Sequence, residues 1–162
     1  MTDTKRLYQQ DVVLWSQQQA AGLRAAAHSG SNLDLDWENL AEEIESVGIS
    51  QRSALKSQIQ QVIEHLLKLE FSPARYPRSG WINSTDDARD EIEKILEDSP
   101  SLKSEIETAI ELSLKRAVRR VPRDLQKYGE IDPTIPARMQ NKTYTAEQIV
   151  GDWFPPEPER EI

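Results

Sequence analysis

Hydrophobic positions recur at three- and four-residue intervals along most of this chain, the period of an α-helix with one buried face. Between Leu7 and Arg24, the positions Tyr8, Val12, Trp15, Gln19 and Leu23 fall on one side, which predicts a first helix. Asp11 projects onto that same side, an odd place for a carboxylate. His28-Ser29-Gly30-Ser31-Asn32 then has the composition of a loop. A second helix is expected from Asp34 or Asp36, either of which can cap it, to Gly48, which would end it or mark a bend. Trp37, Leu40, Ala41, Ile44 and Val47 share its apolar side. Glu38, Glu42 and Glu45, spaced i, i+4, i+7, form a second row beside that side.

The stripe Leu55, Ile59, Val62, Leu66 and Leu69 predicts a third helix from about Ser50 to Glu70. Pro73 and Pro77 exclude a helix interior, and Ser79 can cap the next helix. A fourth helix is expected from Trp81 or Ser84 to Leu96, with Trp81, Ala88, Ile92 and Ile95 on its face. Ser99 as N-cap and Pro100 at the first helical position start a fifth, expected to run to about Val121 and to stop at Pro122. Leu102, Ile106, Ala109, Ile110, Leu114, Ala117 and Val118 carry its apolar side. Beyond Asp124 the pattern weakens, and Gly129, Pro133 and Pro136 predict extended or loop structure. Thr145-Ala146-Glu147-Gln148 fits the capping box of a short last helix. Trp153-Phe154-Pro155-Pro156 reads as an aromatic clamp laid onto the body before a frayed tail over 156–162.

No stretch alternates β-branched residues, and no repeat has a fixed period. The expectation is an all-α, single-domain helical bundle of about five main helices, with a short C-terminal helix and an extended tail. It would span 1–162 as one domain, with its core over about 7–155. A chain of 162 residues buries roughly 70% of its unfolded surface. Its apolar share of 37% rises to about 41% with Gly, below the usual ~45–50%. That leaves room for a partner to complete the apolar surface. The net charge of −8 argues against a general nucleic-acid binder. With no Cys, disulfides, thiolate metal sites and Cys nucleophiles are excluded. No apolar run approaches the ~18 residues of a membrane span, and Met1-Thr2-Asp3-Thr4-Lys5-Arg6 leads into an amphipathic helix rather than a signal-peptide core. A cytoplasmic, acidic protein is expected.

The order of the pieces resembles a family of small bacterial proteins, domain of unknown function 29. The residues that carry the resemblance are Leu7-Tyr8-Gln9-Gln10-Asp11 with Leu14-Trp15, and Glu38-Asn39-Leu40-Ala41-Glu42-Glu43-Ile44-Glu45-Ser46-Val47-Gly48. His65-Leu66-Leu67-Lys68-Leu69, Arg78-Ser79-Gly80-Trp81 and Asp98-Ser99-Pro100-Ser101-Leu102 continue it. Tyr144-Thr145-Ala146-Glu147-Gln148-Ile149 and Asp152-Trp153-Phe154 close it. The resemblance implies a compact helical fold and carries no established activity.

Two clusters could carry function. Asp11, Glu42, Glu45 and His65 come from three predicted helices, each on or beside an apolar face. Oxygen ligands with one imidazole suit Mn²⁺, Fe²⁺ or Mg²⁺ better than a structural Zn²⁺. Such an ion could activate a water for hydrolysis. The Glu-x-x-His and His-Glu-x-x-His spacings of familiar metal helices are missing, and His28 and His65 are the two imidazoles. The competing expectation is a structural network, in which Glu38, Glu42 and Glu45 pair with Arg75, Arg78, Arg89 or Lys68. His65 would then bond Asp11 or a carbonyl, and Asp11 an indole or a backbone N–H. The second cluster is the basic row Lys115, Arg116, Arg119, Arg120 and Arg123. It could contact phosphate or an acidic partner, or simply complement the negative end of its helix. Trp15, Trp37, Trp81 and Trp153 sit at core-like positions. The functional expectation is a non-enzymatic helical interaction module that binds another protein or itself. The alternative is a carboxylate-rich, metal-dependent hydrolase, with phosphodiesters among its candidate substrates.

Overall fold

The computed structural model describes residues 3–127, 129 and 132–158. The chain forms α1 (Thr4–Gln10), α2 (Val12–His28), α3 (Trp37–Phe71) and α4 (Arg78–Asp98). A 3₁₀ segment (Pro100–Glu105) comes next, then α5 (Ile106–Gln126), α6 (Ile135–Gln140) and α7 (Ala146–Val150). The fold is all-helical, with no strand among the described residues. None of the described helices is long and apolar enough to cross a membrane. Backbone contacts group the chain into two compact units, Met1–Leu55 with Lys94–Ser104, and Lys56–Glu93 with Glu105–Ile162. Both α3 and α4 contribute a segment to each.

In the first unit the predicted first helix is broken at Asp11. Its backbone is extended (φ −159°, ψ 102°), which ends α1 and leaves the first N–H groups of α2 open. The Asp11 carboxylate accepts the Leu14 N–H at 2.9 Å, so the residue is the N-cap of α2. Its oxygens also accept the Ser101 N–H at 2.7 Å and the Ser101 hydroxyl at 3.0 Å, at the start of the 3₁₀ segment. The carboxylate is 5% exposed. A residue that looked misplaced on a helix face is thus a cap serving two helix starts.

The expected second and third helices are one continuous α3 of 35 residues, about 52 Å long. Nothing between Trp37 and Phe71 is a proline, and a single Gly costs a helix only about 1 kcal/mol. Ala41, Gly48, Leu55, Val62 and Leu69, every seventh residue, are all buried. Gly48 neither ends nor bends the helix. A Cβ there would lie 2.5 Å from Ser16 Oγ, which donates to the Val13 carbonyl at 2.8 Å. A side chain there would have to displace the Ser16 hydroxyl from this bond, so the close approach of α2 and α3 favours the glycine.

In the second unit, Ile59, Val62, Ile63, Leu66, Leu67 and Leu69 are at most 1% exposed, a broader belt than the predicted stripe. Pro122 does not stop α5, which continues to Gln126. The proline removes one backbone donor, but Val121, Pro122 and Leu125 are all buried, and that packing carries the helix on. The start at Pro100 is also corrected: it opens the 3₁₀ segment, and the α-helix begins at Ile106. In the stretch expected to be extended, α6 forms with Pro136 in its first turn and with Ile135 and Met139 buried one turn apart. The capping box of α7 is present, with Thr145 and Gln148 bonding each other's backbone N–H. Of the expected frayed tail, 159–162 lie outside the described residues. Pro155 is buried, and Glu157 pairs with Arg78 at 3.7 Å.

Two substitutions test this account by urea denaturation. Asp11→Ala removes a cap and leaves the Ser101 N–H unpartnered, and should cost about 2–4 kcal/mol. Gly48→Leu should cost about 1–3 kcal/mol through overpacking against α2. A loss under about 0.5 kcal/mol in either would contradict the role assigned.

Candidate functional site: the acidic half of α3

The segment from Asp34 to Glu45 carries six carboxylates and no cation. Asp36 caps its start by accepting the Asn39 N–H at 3.2 Å. Glu38 and Glu45, nearly two turns apart, both reach Arg24 of α2. Arg24 Nη2 lies 2.8 Å from Glu45 Oε2, and Nε lies 3.4 Å from Glu38 Oε1. The hydrogen bond to Arg24, with its charge, holds the Glu45 carboxyl below its ordinary value. Bonds to Glu45 and then Glu38 raise Arg24. Arg24 is not among the expected partners; its signal was its place in the last part of α2, just before the loop that leads back to the acidic helix. Glu42 is exposed and holds no bond or ion pair among the described residues.

The apolar side of this half-helix is only partly covered. Ala41 is buried, but Trp37 and Ile44 are half-buried. Leu40 and Val47 are 40% and 36% exposed. Leu33, Leu35 and Ile49 stand further out, at 64%, 48% and 55%. At about 100° per residue, Leu40 and Val47 share one flank of the half-helix with Glu43, while Ile49 lies on the other flank with Glu38, Glu42 and Glu45.

The four residues proposed as metal ligands are placed as follows. Asp11, Glu42 and Glu45 belong to the first unit and His65 to the second. Asp11 uses both oxygens on helix starts, and Glu45 is held by Arg24. His65 is half-buried, with its Nδ1 enclosed and without a hydrogen-bond partner, so the expected bond to Asp11 or a carbonyl is not made there. Burial pushes its pKa below the usual imidazole value, with Lys68 reinforcing and Glu64 opposing. Among the described residues, no group of three or more His, Asp or Glu side chains is placed to hold a metal ion.

The other expected cations serve the second unit. Lys68 pairs with Asp124 at 3.3 Å, and Arg120 lies between Glu64 and Asp124 at 3.5 and 4.0 Å. Burial works against the Asp124 charge, but the Lys68 bond and surrounding cations bring its pKa below the ordinary value. Arg89, 6% exposed, donates to the carbonyls of Ile149 (3.0 Å), Gln148 (2.8 Å) and Trp153 (2.6 Å). Its guanidinium sits 4.7 Å from the Phe154 ring centre, so the expected aromatic clamp closes on a cation. Burial lowers its pKa against the opposing pull of Asp86 and Asp152. Lys115, Arg116, Arg119 and Arg123 remain exposed along α5. A cleft of about 540 Å³ lies at the N-terminal half of α5, lined by Glu107, Ile110, Glu111 and Tyr144 among others. The Tyr144 hydroxyl already donates to Glu70 at 3.1 Å, and burial followed by that carboxylate pushes its pKa up.

The family model described as "Domain of unknown function DUF29" matches residues 7–154. The chain belongs to this family. A crystal structure of an α-helical protein of unknown function from Rhodospirillum rubrum is similar to it at a TM-score of 0.66 and 25% identity. The alignment covers 91% of this DUF29 chain and 98% of that one. No curated protein matches the chain. The match to DUF29 runs through Asp11, the acidic half of α3 and the Arg89 clamp alike, and attaches no activity to any of them.

His65 supplies a pH test. A lowered pKa means the folded state holds the neutral ring while the unfolded chain takes up a proton first. Stability is then full above about pH 6.5 and falls as pH drops through the unfolded value toward the folded one. His65→Gln should flatten the fall in urea midpoint between about pH 7.5 and about pH 5.5. An unchanged slope would rule out His65 as its source.

Proposed function

We propose that this DUF29 chain is a cytoplasmic, non-enzymatic interaction module, a helical bundle that docks a basic protein partner on the acidic half of α3. The observation that carries the reading is the cluster Leu33, Leu35, Leu40, Val47 and Ile49, each 36–64% exposed within one stretch of chain. Single exposed apolar residues mean little, but five within one short acidic stretch have the make-up of a binding surface. The stretch is acidic, with Asp34, Asp36, Glu42 and Glu43 exposed and no cation between Asp34 and Glu45. A partner with apolar residues among Lys and Arg complements both features. The thin apolar inventory of the chain is consistent with a surface completed from outside.

The test is fluorescence anisotropy with a labelled helical peptide of Leu and Lys in amphipathic register. Saturable binding is expected, weakening with added salt. Leu40→Gln with Val47→Gln should weaken it about tenfold or more, as should Glu43→Lys, with the helical circular-dichroism spectrum retained. No binding, or binding indifferent to these changes, would overturn the proposal.

A further inference from the structure

The exposed row of α5 fits the acidic row of α3 residue by residue, and we infer that the basic partner is a second copy of this chain. This rests on the docking reading above, taken on the flank of α3 that carries Ile49, and names its occupant. On α3, the residues Glu38, Glu42, Glu45 and Ile49 succeed one another at intervals of four, three and four. They share one face at about 100° per residue. On α5, Leu112, Arg116, Arg119 and Arg123 repeat the same intervals on one face. Set antiparallel, the two rows place Glu38 opposite Arg123, Glu42 opposite Arg119, Glu45 opposite Arg116 and Ile49 opposite Leu112. Every carboxylate meets a guanidinium and the two apolar ends meet each other. Set parallel, the same spacing leaves Glu38 facing Leu112 and Ile49 facing Arg123, so the chemistry at the ends selects the antiparallel arrangement.

Both rows are open in the single chain. Ile49 and Leu112 are 55% and 47% exposed, and Arg116, Arg119 and Arg123 are exposed. Arg24 takes one oxygen each of Glu38 and Glu45, leaving Glu38 Oε2 and Glu45 Oε1 without a bond among the described residues. Arg119 donates its Nε to the Lys115 carbonyl at 3.2 Å, and no described bond engages its terminal nitrogens. Arg116 and Arg123 hold no hydrogen bond or ion pair among the described residues. The acidic segment Asp34–Glu45 contains no cation, and Leu112–Arg123 contains no carboxylate. Neither surface can pair with its own kind, so the contact joins two different faces. It closes as a twofold pair of contacts or extends from copy to copy.

Sedimentation equilibrium and light scattering on the full chain test the inference. The wild type should exceed monomer mass at low salt and dissociate as salt is raised. Glu42→Arg alone and Arg119→Glu alone should each raise the dissociation constant about tenfold or more. The two changes in one chain should return it to within about threefold, because the reversed pair is again complementary. Both positions are exposed, and unchanged thermal midpoints confirm that the variants fold. A wild type that stays monomeric at low salt, single variants without effect, or a double variant no better than either single would overturn the inference. A monomer that still binds the Leu/Lys peptide would overturn the second copy while leaving the docking surface standing. A monomer that ignores the peptide would overturn both. Loss of affinity for an oligonucleotide in Arg119→Glu, with the mass unchanged, would assign the row to nucleic acid instead.

Discussion

Helix ends leave backbone groups without partners, and this chain meets that constraint with two buried charged side chains. In the first unit, Asp11 gathers N–H groups from the start of α2 and from the start of the 3₁₀ segment, the latter at Ser101, 90 residues along the chain. In the second, Arg89 gathers three carbonyls from α7 and the turn after it. An anion serves helix starts and a cation a helix end, the arrangement the peptide dipoles favour. Neither charge rests on a single opposite charge. Each is bonded to several backbone groups, with the Arg89 Nη1 buried and without a hydrogen-bond partner, and each ties distant segments of chain to one point.

The two units bury their apolar residues in different ways. The second packs Ile59, Ile63, Leu66 and Leu67 around much of the α3 circumference. The first buries Leu55, Ile95, Leu96 and Leu102, but lines the seam between α2 and α3 with small residues, with Ser16 set against Gly48 and with Ala20 and Ala41 buried. Small residues let helices approach closely but cover little area. The larger side chains that flank this seam, Leu40 and Val47, are left in contact with water. The carboxylates of the acidic half-helix reflect the same exposure, since charges at a solvated edge carry little desolvation cost.

Much of this was legible in the sequence. The three- and four-residue period located the α-helices α2 to α5 because periodicity reports which face is apolar, and that is local information. The capping box at Thr145 was legible for the same reason, since all its atoms come from four adjacent residues. α6 was missed although its signals, Pro136 and the Ile135–Met139 pair, were present; a six-residue helix carries too little periodicity to stand against its flanking prolines. Asp11 was correctly marked as out of place, but its partner Ser101 is too far along the chain for any local pattern to supply.

By itself, then, the sequence determined the helical class, most helix faces, the family and the segregation of charge into one acidic and one basic stretch. These depend on spacing and residue type within a turn or two. Tertiary structure alone decided that Gly48 is a contact rather than a stop, that Pro122 lies within a helix, and that Arg24 pairs with Glu38 and Glu45. It also decided that the carboxylates and imidazole of the expected metal set serve as a cap, an ion-pair partner, an exposed acid and a half-buried neutral ring. The reason is common to all of them. A side chain's role at an interface is set by its packing neighbours, and its own helix does not encode those.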